Sequence, residues 1–255
     1  MRCRPIFKNK TMKQTEIIDR LRNDEDYYGK FGKQYLSNSD INALLNNPLA
    51  FGQDMEKTAA FLVGGYFHTA ILEPDKLKKY RIIEASTRNT KAYKEMSEGE
   101  LCLLQHEVDQ IELMQDRLLS NDVCKGLIRD GDVEYEVPNV TNIGGNMWKG
   151  KADIINHDDK MIIDLKTTGN ISSFRSSAYK YNYDSQAYIY TQLFEGYEFV
   201  FIVIDKTTLQ IGVYDCSSSF YHSGEQKVEQ ANLNYDLFFK LGDTDPEQFL
   251  KTETL

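Results

Sequence analysis

The sequence predicts a mixed α/β fold, in which a central mixed β-sheet is flanked by helices and preceded by a helical N-terminal part. Three observations predict it. Helical patterns dominate the first 130 residues, the pattern from residue 131 onward indicates the order β-β-β-α-β-β-α, and 41% of the residues are hydrophobic, enough for a sizeable core. We expect residues 1–34 to be a partly ordered segment. Residues 35–255 should form one domain, helical over 35–130 with its sheet core over 131–255.

The N-terminal part is predicted to contain four helical segments. Ser37 opens a stretch that begins like a capped helix, and Pro48 starts a segment that extends to about residue 57. Residues 59–72 are strongly apolar and end before Pro74, as a buried helix would. Residues 90–119 have the amphipathic pattern of one long helix.

The C-terminal part is predicted to contain the sheet. Residues 133–140 alternate between polar and apolar, and a Gly-Gly turn leads into the next strand. Two apolar stretches, 147–155 and 161–168, flank a polar turn and predict a hairpin. The remaining elements are a tyrosine-rich helix over 172–195, a strand pair over 199–205 and 209–214, and a closing helix over 220–241.

Composition and charge narrow the function classes. The net charge of −9 counts against non-specific nucleic-acid binding, although a local basic groove can coexist with an acidic exterior. The sequence has no run of 18 apolar residues, and its basic N-terminus lacks the apolar core of a secretory signal, so we expect no membrane partner. The four cysteines have no C-x-x-C spacing, which argues against a zinc ribbon, an iron–sulfur cluster and a disulfide framework. We therefore expect a cytoplasmic protein.

Asp153, Asp164 and Lys166 are the first candidate site residues. The hairpin should bring both carboxylates to one end of the sheet, with the ammonium of Lys166 beside them. Carboxylates that are held together repel one another unless a positive charge lies between them, and Mg²⁺ favours such a site together with substrate phosphates. The pattern indicates metal-assisted hydrolysis of a phosphodiester. The alternative is an Asp–Lys ion pair on the exposed face of a half-buried strand. Two other acid-x-Lys triplets, 158–160 and 225–227, lie in polar surroundings and are interpreted as solvated surface.

Two further stretches supply candidates for the same site. Gly64 and His68 lie one helical turn apart, and a glycine there would let another segment approach the imidazole, a common metal ligand. The alternative for His68 is an ordinary core histidine. Glu134 and Glu136 share one face of a strand that should pair with the Asp153 strand. We interpret Glu134 as a solvent-facing edge residue and Glu136 as a site residue that could order a metal-bound water.

Gln186 and Tyr190 share one face of the helix that follows the Asp164 strand. They could contact DNA or the carboxylates, and the alternative is a tyrosine-rich core face. Basic residues near these motifs are candidate phosphate contacts, although isolated surface cations are the simpler interpretation. They are Lys149, Lys151, Arg175 and Lys180.

The ordered motifs resemble the PD-(D/E)xK nuclease superfamily, in particular the phage and prophage exonuclease VIII-like branch, which is related to lambda exonuclease and to the nuclease domains of RecB-type helicase–nucleases. The resemblance covers about residues 35–215 and implies a restriction-endonuclease-like core. The motifs that carry it are Gly64-x-x-x-His68, Glu136, Gly150-Lys-Ala-Asp153, Asp164-Leu-Lys166-Thr-Thr and Gln186-x-x-x-Tyr190.

The resemblance also implies roles for these residues. His68, Asp153 and Asp164 would bind one or two Mg²⁺ or Mn²⁺ ions, with the Leu165 carbonyl as a further ligand. Lys166 would be the catalytic lysine. Gln186 and Tyr190 would help to bind DNA and to order the active site. Lys151 and Arg175 are added to this DNA-binding set because they lie close to the motifs in sequence. Some relatives carry an iron–sulfur cluster held by four cysteines, a pattern that this sequence lacks.

The function that follows is ATP-independent hydrolysis of DNA from duplex ends, in the 5′→3′ direction, in phage-type recombination or repair inside a bacterial or phage-infected cell. A single-strand annealing protein and a homo-oligomeric ring are implied by the resemblance alone. Two alternatives stay open at this point. One is a structure- or sequence-specific endonuclease on the same core, and the other is a non-catalytic module that binds DNA or a partner.

Overall fold

The structure, a computed structural model, describes residues 12–53, 57–241 and 244–251. Two short strands pair in parallel, and five longer strands form the main sheet. In chain order the strands are β1 (Ile82–Ile83), β2 (Leu103–Leu104), β3 (Val133–Ile143), β4 (Asn146–Asn156), β5 (Met161–Thr168), β6 (Glu198–Asp205) and β7 (Ile211–Asp215).

The main sheet has the order β3-β4-β5-β6-β7 and is mixed, as predicted. All neighbouring strands are antiparallel except β5 and β6, which run in parallel. A parallel pair needs a crossover connection, and the helical stretch between β5 and β6 provides it. The carboxyl ends of β5 and β6 consequently lie at the same edge of the sheet.

Helices cover both faces of this sheet. The N-terminal helices are α1 (Gln14–Leu21), α2 (Asp24–Tyr28), α3 (Ile41–Asn46), α4 (Ala59–Leu72), α5 (Lys91–Ser97), α6 (Gln105–Leu119) and α7 (Asp122–Arg129). The C-terminal helices are α8 (Phe174–Lys180), α9 (Tyr183–Leu193) and α10 (Ser218–Tyr235), which continues into a π-helical turn over Asp236–Lys240. Within the described ranges, none of the helices combines the length and apolarity that crossing a bilayer requires.

The central strands contribute side chains to two apolar layers. Ile155 and Ile162 pack into the layer beneath α9 and α10, whereas Ile154 and Ile163 pack into the layer beneath α4 and α6. Successive strand residues point to opposite faces, so a strand that is covered on both sides must be apolar on both. This explains the apolar run of β5, in which Asp164 is buried at 3% exposure.

The predicted single helix over residues 90–119 is wrong. Helix α5 ends at Ser97, and the following Glu98 and Gly99 both have left-handed backbone angles, with φ of 53° and 85°. A residue in that conformation ends a helix, because its carbonyl and amide groups turn away from the helical ladder. The short strand β2 then separates α5 from α6.

The predicted helix over residues 172–195 is also interrupted. Helix α8 ends at Lys180, and α9 begins after Asn182, which has a φ of 58°. The sequence reasoning missed this interruption because neither glycine nor proline marks it. The predicted closing helix is confirmed as α10, although its last turn widens into the π-helical turn.

Residues 14–34 pack against the first long strand of the sheet. Leu21, Tyr27 and Phe31 form an apolar cluster with Val140 of β3. The side-chain amide of Gln14 also donates a hydrogen bond to the Val140 carbonyl at 2.7 Å. The predicted domain boundary at residue 34 stays a prediction, as does partial order at the N-terminus, of which residues 1–11 lie outside the described residues. Residues 54–56, within the segment predicted to start at Pro48, also lie outside them.

Candidate functional site

The site begins where β4 and β5 separate. The two strands pair only at residues 154–156 and 161–163. Beyond that point the Leu165 amide is not paired with the β4 backbone, and it donates instead to the side-chain oxygen Asp153 Oδ2 at 2.8 Å. A side-chain carboxylate thus replaces the backbone carbonyl that a continuing ladder would have supplied. Asp153 is therefore held at the point where β4 and β5 separate.

His68 approaches the same carboxylate from α4. Its Nδ1 lies 3.1 Å from Asp153 Oδ2. Gly64, one turn earlier, does not serve the close approach that the sequence suggested, because a Cβ built there meets no atom within 4 Å among the described residues. That part of the prediction is wrong. The glycine instead lines an open cavity of about 380 Å³ between α4 and α6.

Asp164 and Lys166 point to the α9 side of the sheet. Asp164 Oδ1 accepts a hydrogen bond from Gln186 Nε2 at 2.5 Å. Lys166 Nζ lies 2.5 Å from Asp164 Oδ2 and 4.7 Å from the centre of the Tyr183 ring. The approach of the ammonium does not have hydrogen-bond geometry, so Oδ2 is a buried oxygen with no hydrogen-bond partner among the described residues. Such an oxygen strongly favours a positive partner.

The charges in this group are strongly interdependent. Burial raises the pKa of Asp164, and the neighbouring Asp153 raises it further against the opposing effect of Lys166. Burial also acts to raise the pKa of Asp153, but His68, Lys166 and the Leu165 amide outweigh burial and lower that pKa. One carboxylate is thereby held ionised while its neighbour holds a proton more readily, as expected for two acids that share one site.

Glu136 faces this pair from β3. Tyr135 lies opposite Ile154 and Val137 opposite Ala152, but the pairing is interrupted between Glu136 and Asp153. Glu136 has a φ of 51°, an unfavourable conformation for a residue with a side chain. Burial first, and then the charge of Asp153, raise the pKa of Glu136 to about 7. A strained acid with a perturbed pKa is a common feature of functional sites.

Lys151 is enclosed. Its Nζ lies 2.6 Å from Asp24 Oδ1 and 3.7 Å from Glu136 Oε2, and its side chain is 6% exposed. The rings of Tyr27 and Tyr28 lie 4.7 Å and 5.3 Å from the same ammonium. A contact between Lys151 and a DNA phosphate, as predicted, would require Asp24 to move away. No local signal could reveal this pair, because Asp24 lies 127 residues earlier in the chain.

The other predicted basic residues differ in exposure. Lys149 is buried and donates to the Tyr27 carbonyl. Arg175 is exposed on α8. Lys180 is also exposed, and its ammonium lies 5.5 Å from the centre of the Tyr181 ring. Arg175 and Lys180 are therefore accessible to a DNA phosphate.

Tyr190 stabilises strand β4 by hydrogen bonding to its backbone. Its hydroxyl donates to the Lys151 carbonyl at 3.0 Å and accepts from the Lys151 amide at 3.2 Å. These are backbone groups on the stretch of β4 where the β5 ladder has ended. A Cβ on Gly150 would lie 2.6 Å from Leu193 Cδ1 and 2.9 Å from Tyr190 Cε2, so only glycine admits the ring here.

Replacing Tyr190 with phenylalanine should therefore reduce stability. The change leaves the Lys151 amide and carbonyl unsatisfied, which should lower the free energy of unfolding by about 1–3 kcal/mol. Chemical denaturation provides the measurement. Tyr188→Phe is the matched control on the same helix, since its hydroxyl makes only a 3.5 Å contact with Glu225, and we expect a change within about 0.5 kcal/mol. Equal stabilities of the two variants would show that the Tyr190 hydroxyl does not support the strand.

Tyr183 is a site residue that the sequence reasoning missed. It lies three positions before Gln186 and seven before Tyr190, so all three share one face of α9. That spacing could have identified it, but the abundance of tyrosine in this stretch concealed the signal.

The donor set suits a divalent cation by its chemistry. Asp153 and Asp164 provide carboxylate oxygens, the ligand type that Mg²⁺ and Mn²⁺ prefer, and His68 adds an imidazole nitrogen, a common metal ligand. The buried Asp164 Oδ2 without a hydrogen bond favours a cation as well. Among the described residues, no three His, Cys, Asp or Glu side chains are arranged as a ligand group for a metal ion. His68 is paired with Asp153, and Asp164 is engaged by Gln186 and Lys166.

Comparisons with known proteins agree with this fold. Residues 37–247 match the family described as PDDEXK-like domain of unknown function (DUF3799). A solved structure from Eubacterium rectale, described as a "putative exonuclease", is similar with a TM-score of 0.66 at 18% identity, over 91% of this chain and 95% of that chain. A phage related exonuclease from Haemophilus somnus 129PT has 14% identity over 82% of this chain and 96% of that chain, with a TM-score of 0.36. No curated protein matches the sequence. The predicted fold class is confirmed.

Proposed function

The chain belongs to the family of PDDEXK-like domains, and we propose that it is a metal-dependent deoxyribonuclease that hydrolyses phosphodiester bonds from duplex DNA ends. Membership confirms the superfamily that the sequence motifs resemble. A nuclease is the coarse function that this family supports. End dependence, metal dependence and direction are the finer parts of the proposal.

One observation carries the proposal. Two carboxylates from separating strands, a lysine and an imidazole meet in one network, in which His68 pairs with Asp153 and Lys166 with Asp164. An ordinary surface ion pair would be solvated, but Asp164 is buried and one of its oxygens has no hydrogen bond. Burying a carboxylate is unfavourable unless an opposite charge compensates for it, and here the Lys166 ammonium does so. Buried, mutually perturbed titratable groups of this kind are common at functional sites.

The divalent cation would be Mg²⁺ or Mn²⁺, as one or two ions. Asp153, Asp164 and His68 would hold it, and the Leu165 carbonyl would provide a further ligand. When bound, the ion supplies positive charge to a phosphate oxygen and acidifies a water molecule.

The protein's own groups would perform three tasks. The Lys166 ammonium can stabilise negative charge on an attacking hydroxide or on the phosphate. Gln186 fixes the orientation of Asp164 through its 2.5 Å hydrogen bond. Glu136, whose pKa is raised to about 7, can accept or return a proton near neutral pH.

The substrate and the cellular setting are proposed from the resemblance. We expect double-stranded DNA ends as the substrate, 5′→3′ digestion without ATP, and a role in phage-type recombination or repair. Arg175 and Lys180, both exposed on α8, are the candidate phosphate contacts that remain accessible. A single-strand annealing partner, a ring of identical subunits and a bacterial or phage-infected cytoplasm complete the proposal.

Metal dependence can be tested directly. The purified protein is freed of metal with EDTA and incubated with linear duplex DNA, after which Mg²⁺ or Mn²⁺ is added back. We expect acid-soluble nucleotides only after the addition, and separate 5′ and 3′ labels report the direction. Release of nucleotides in EDTA would contradict the proposed metal dependence. DNA that is bound but never cleaved under any condition would instead favour a non-catalytic module.

A further inference from the structure

A second cleft opens beside Lys166 at the carboxyl end of β5. Its volume is about 390 Å³, within the range of small-molecule sites, which starts at about 300 Å³. Thr167 and Thr168, the residues that follow Lys166, line it. So does Tyr183, whose ring lies 4.7 Å from the Lys166 ammonium. The cleft therefore adjoins the candidate active site through Tyr183.

Two tyrosines lie on one side of this cleft because the helix is interrupted. Residues two apart in a continuous helix point in different directions, so Tyr181 and Tyr183 could not both face the same space. The left-handed Asn182 between them changes this, and the two ring centroids lie 6.1 Å apart. Tyr181 is 57% exposed, a large value for an aromatic side chain beside a cleft.

The interruption is held in place by other parts of the chain. Lys227 of α10 donates to the Asn182 side chain at 2.9 Å and to the Tyr179 carbonyl at 2.9 Å. Asn38 donates to the Asn182 carbonyl at 3.1 Å. Hydrogen bonds from two distant parts of the chain thus hold Asn182 in the left-handed conformation, which asparagine adopts more readily than most residues.

Lys206 also lines the cleft and is exposed. Its amide donates to the Thr168 carbonyl at 2.8 Å, and its carbonyl accepts from Gln110 at 2.6 Å. Asp205 fixes both neighbouring loops, because it accepts from the amides of Thr207 and Ile171 at 2.8 Å and 2.9 Å. No acid among the described residues forms an ion pair with the Lys206 ammonium. The backbone of Lys206 is thus fixed by hydrogen bonds, and its ammonium has no acidic partner among the described residues.

An exposed aromatic ring and a cation that line the same polar cleft match the chemistry of a nucleotide. A base can stack on an exposed tyrosine, and a phosphate can pair with a lysine, while Asn170, Ser173 and Ser177 offer hydrogen-bonding groups between them. We infer that this cleft binds one unpaired nucleotide of the DNA strand next to the cleaved bond, with its base on Tyr181 and its phosphate at Lys206. The inference rests on the proposed DNA substrate.

The test is binding of a fluorescent single-stranded oligothymidylate to the full chain in EDTA, measured by anisotropy at several salt concentrations. Tyr181→Ala should weaken binding by about 5-fold to 150-fold, the range of a lost base stack, whereas Tyr181→Phe should bind like the unaltered protein. Lys206→Ala should weaken binding and reduce the salt dependence by about 0.7 in log–log slope, the value for one phosphate contact on a single strand. Lys91→Ala, at an exposed site on α5, is the matched control and should change neither quantity.

An oligonucleotide with one abasic position separates stacking from a general loss of structure. When the missing base is the one bound at Tyr181, the effect of Tyr181→Ala should disappear, while that of Lys206→Ala should persist. Affinities of Tyr181→Ala and Lys206→Ala equal to that of the unaltered protein would overturn the inference. If the proposed function is wrong, the unaltered protein will leave DNA intact after incubation with Mg²⁺. The affinities in EDTA are measured without cleavage, so they test the nucleotide site separately.

Discussion

Replacing Lys166 with alanine should slow DNA cleavage by at least about 100-fold to 1,000-fold, the usual effect of removing one group that stabilises developing negative charge. The ammonium lies 2.5 Å from Asp164 and is partly buried, so solvent cannot substitute for it. The measurement is the single-turnover rate of nucleotide release from end-labelled linear duplex at saturating Mg²⁺. The variant should still fold, because the pKa of Asp164 is already raised by burial and its carboxyl can take up a proton.

The chain contains its own control for this experiment. Lys160 ends the Asp158-Asp-Lys160 triplet, which has the same spacing but lies in an exposed turn. Lys160→Ala should cleave DNA at the rate of the unaltered protein. Thermal unfolding of both variants shows that each is folded. A Lys166→Ala protein with full activity would remove Lys166 from the mechanism.

Replacing Asp153 with asparagine should also abolish most activity. The change keeps the size of the side chain but removes the charge that faces His68 at 3.1 Å and accepts from the Leu165 amide. We expect a rate at least about 100-fold lower, together with a higher Mg²⁺ concentration for half-maximal activity. Both quantities are obtained by measuring the cleavage rate at a series of Mg²⁺ concentrations.

A second readout of this variant does not depend on cleavage. Burial acts to lower the pKa of His68, but Asp153 outweighs burial and raises it, so in Asp153→Asn that pKa should fall. NMR titration of the metal-free protein measures it. Asp116→Asn, at an exposed position of α6, should leave both the rates and the pKa of His68 unchanged. An unaltered His68 pKa in Asp153→Asn would contradict the pairing.

The sequence predicted those parts of the molecule in which local pattern and tertiary structure agree. Strand β5 was predicted with its observed bounds, because an apolar run buried on both faces leaves few other assignments. Helix α4 was also predicted with its observed bounds, since its apolar run ends just before Pro74. In the structure, the Thr58 side chain caps its first turn. The candidate residues His68, on α4, and Asp164 and Lys166, on β5, therefore lie on elements that the sequence predicted correctly.

Other parts of the site depend on contacts that no local pattern encodes. Asp24 binds Lys151 across 127 residues, which changes a predicted surface lysine into an enclosed one. The left-handed Asn182 is fixed by Lys227 and Asn38, both distant in sequence. Propensity could not reveal that α8 and α9 are separate, because tertiary hydrogen bonds outweigh the local preference for helix.

We propose that this protein degrades DNA from its ends with the help of a divalent metal ion. The most direct measurement incubates a closed circular duplex and an end-labelled linear duplex in one tube, with Mg²⁺ and with EDTA. We expect the linear DNA to be degraded progressively in Mg²⁺, the circle to stay intact, and both to survive in EDTA. Cleavage of the closed circle in Mg²⁺ would contradict end dependence and identify an endonuclease on the same core.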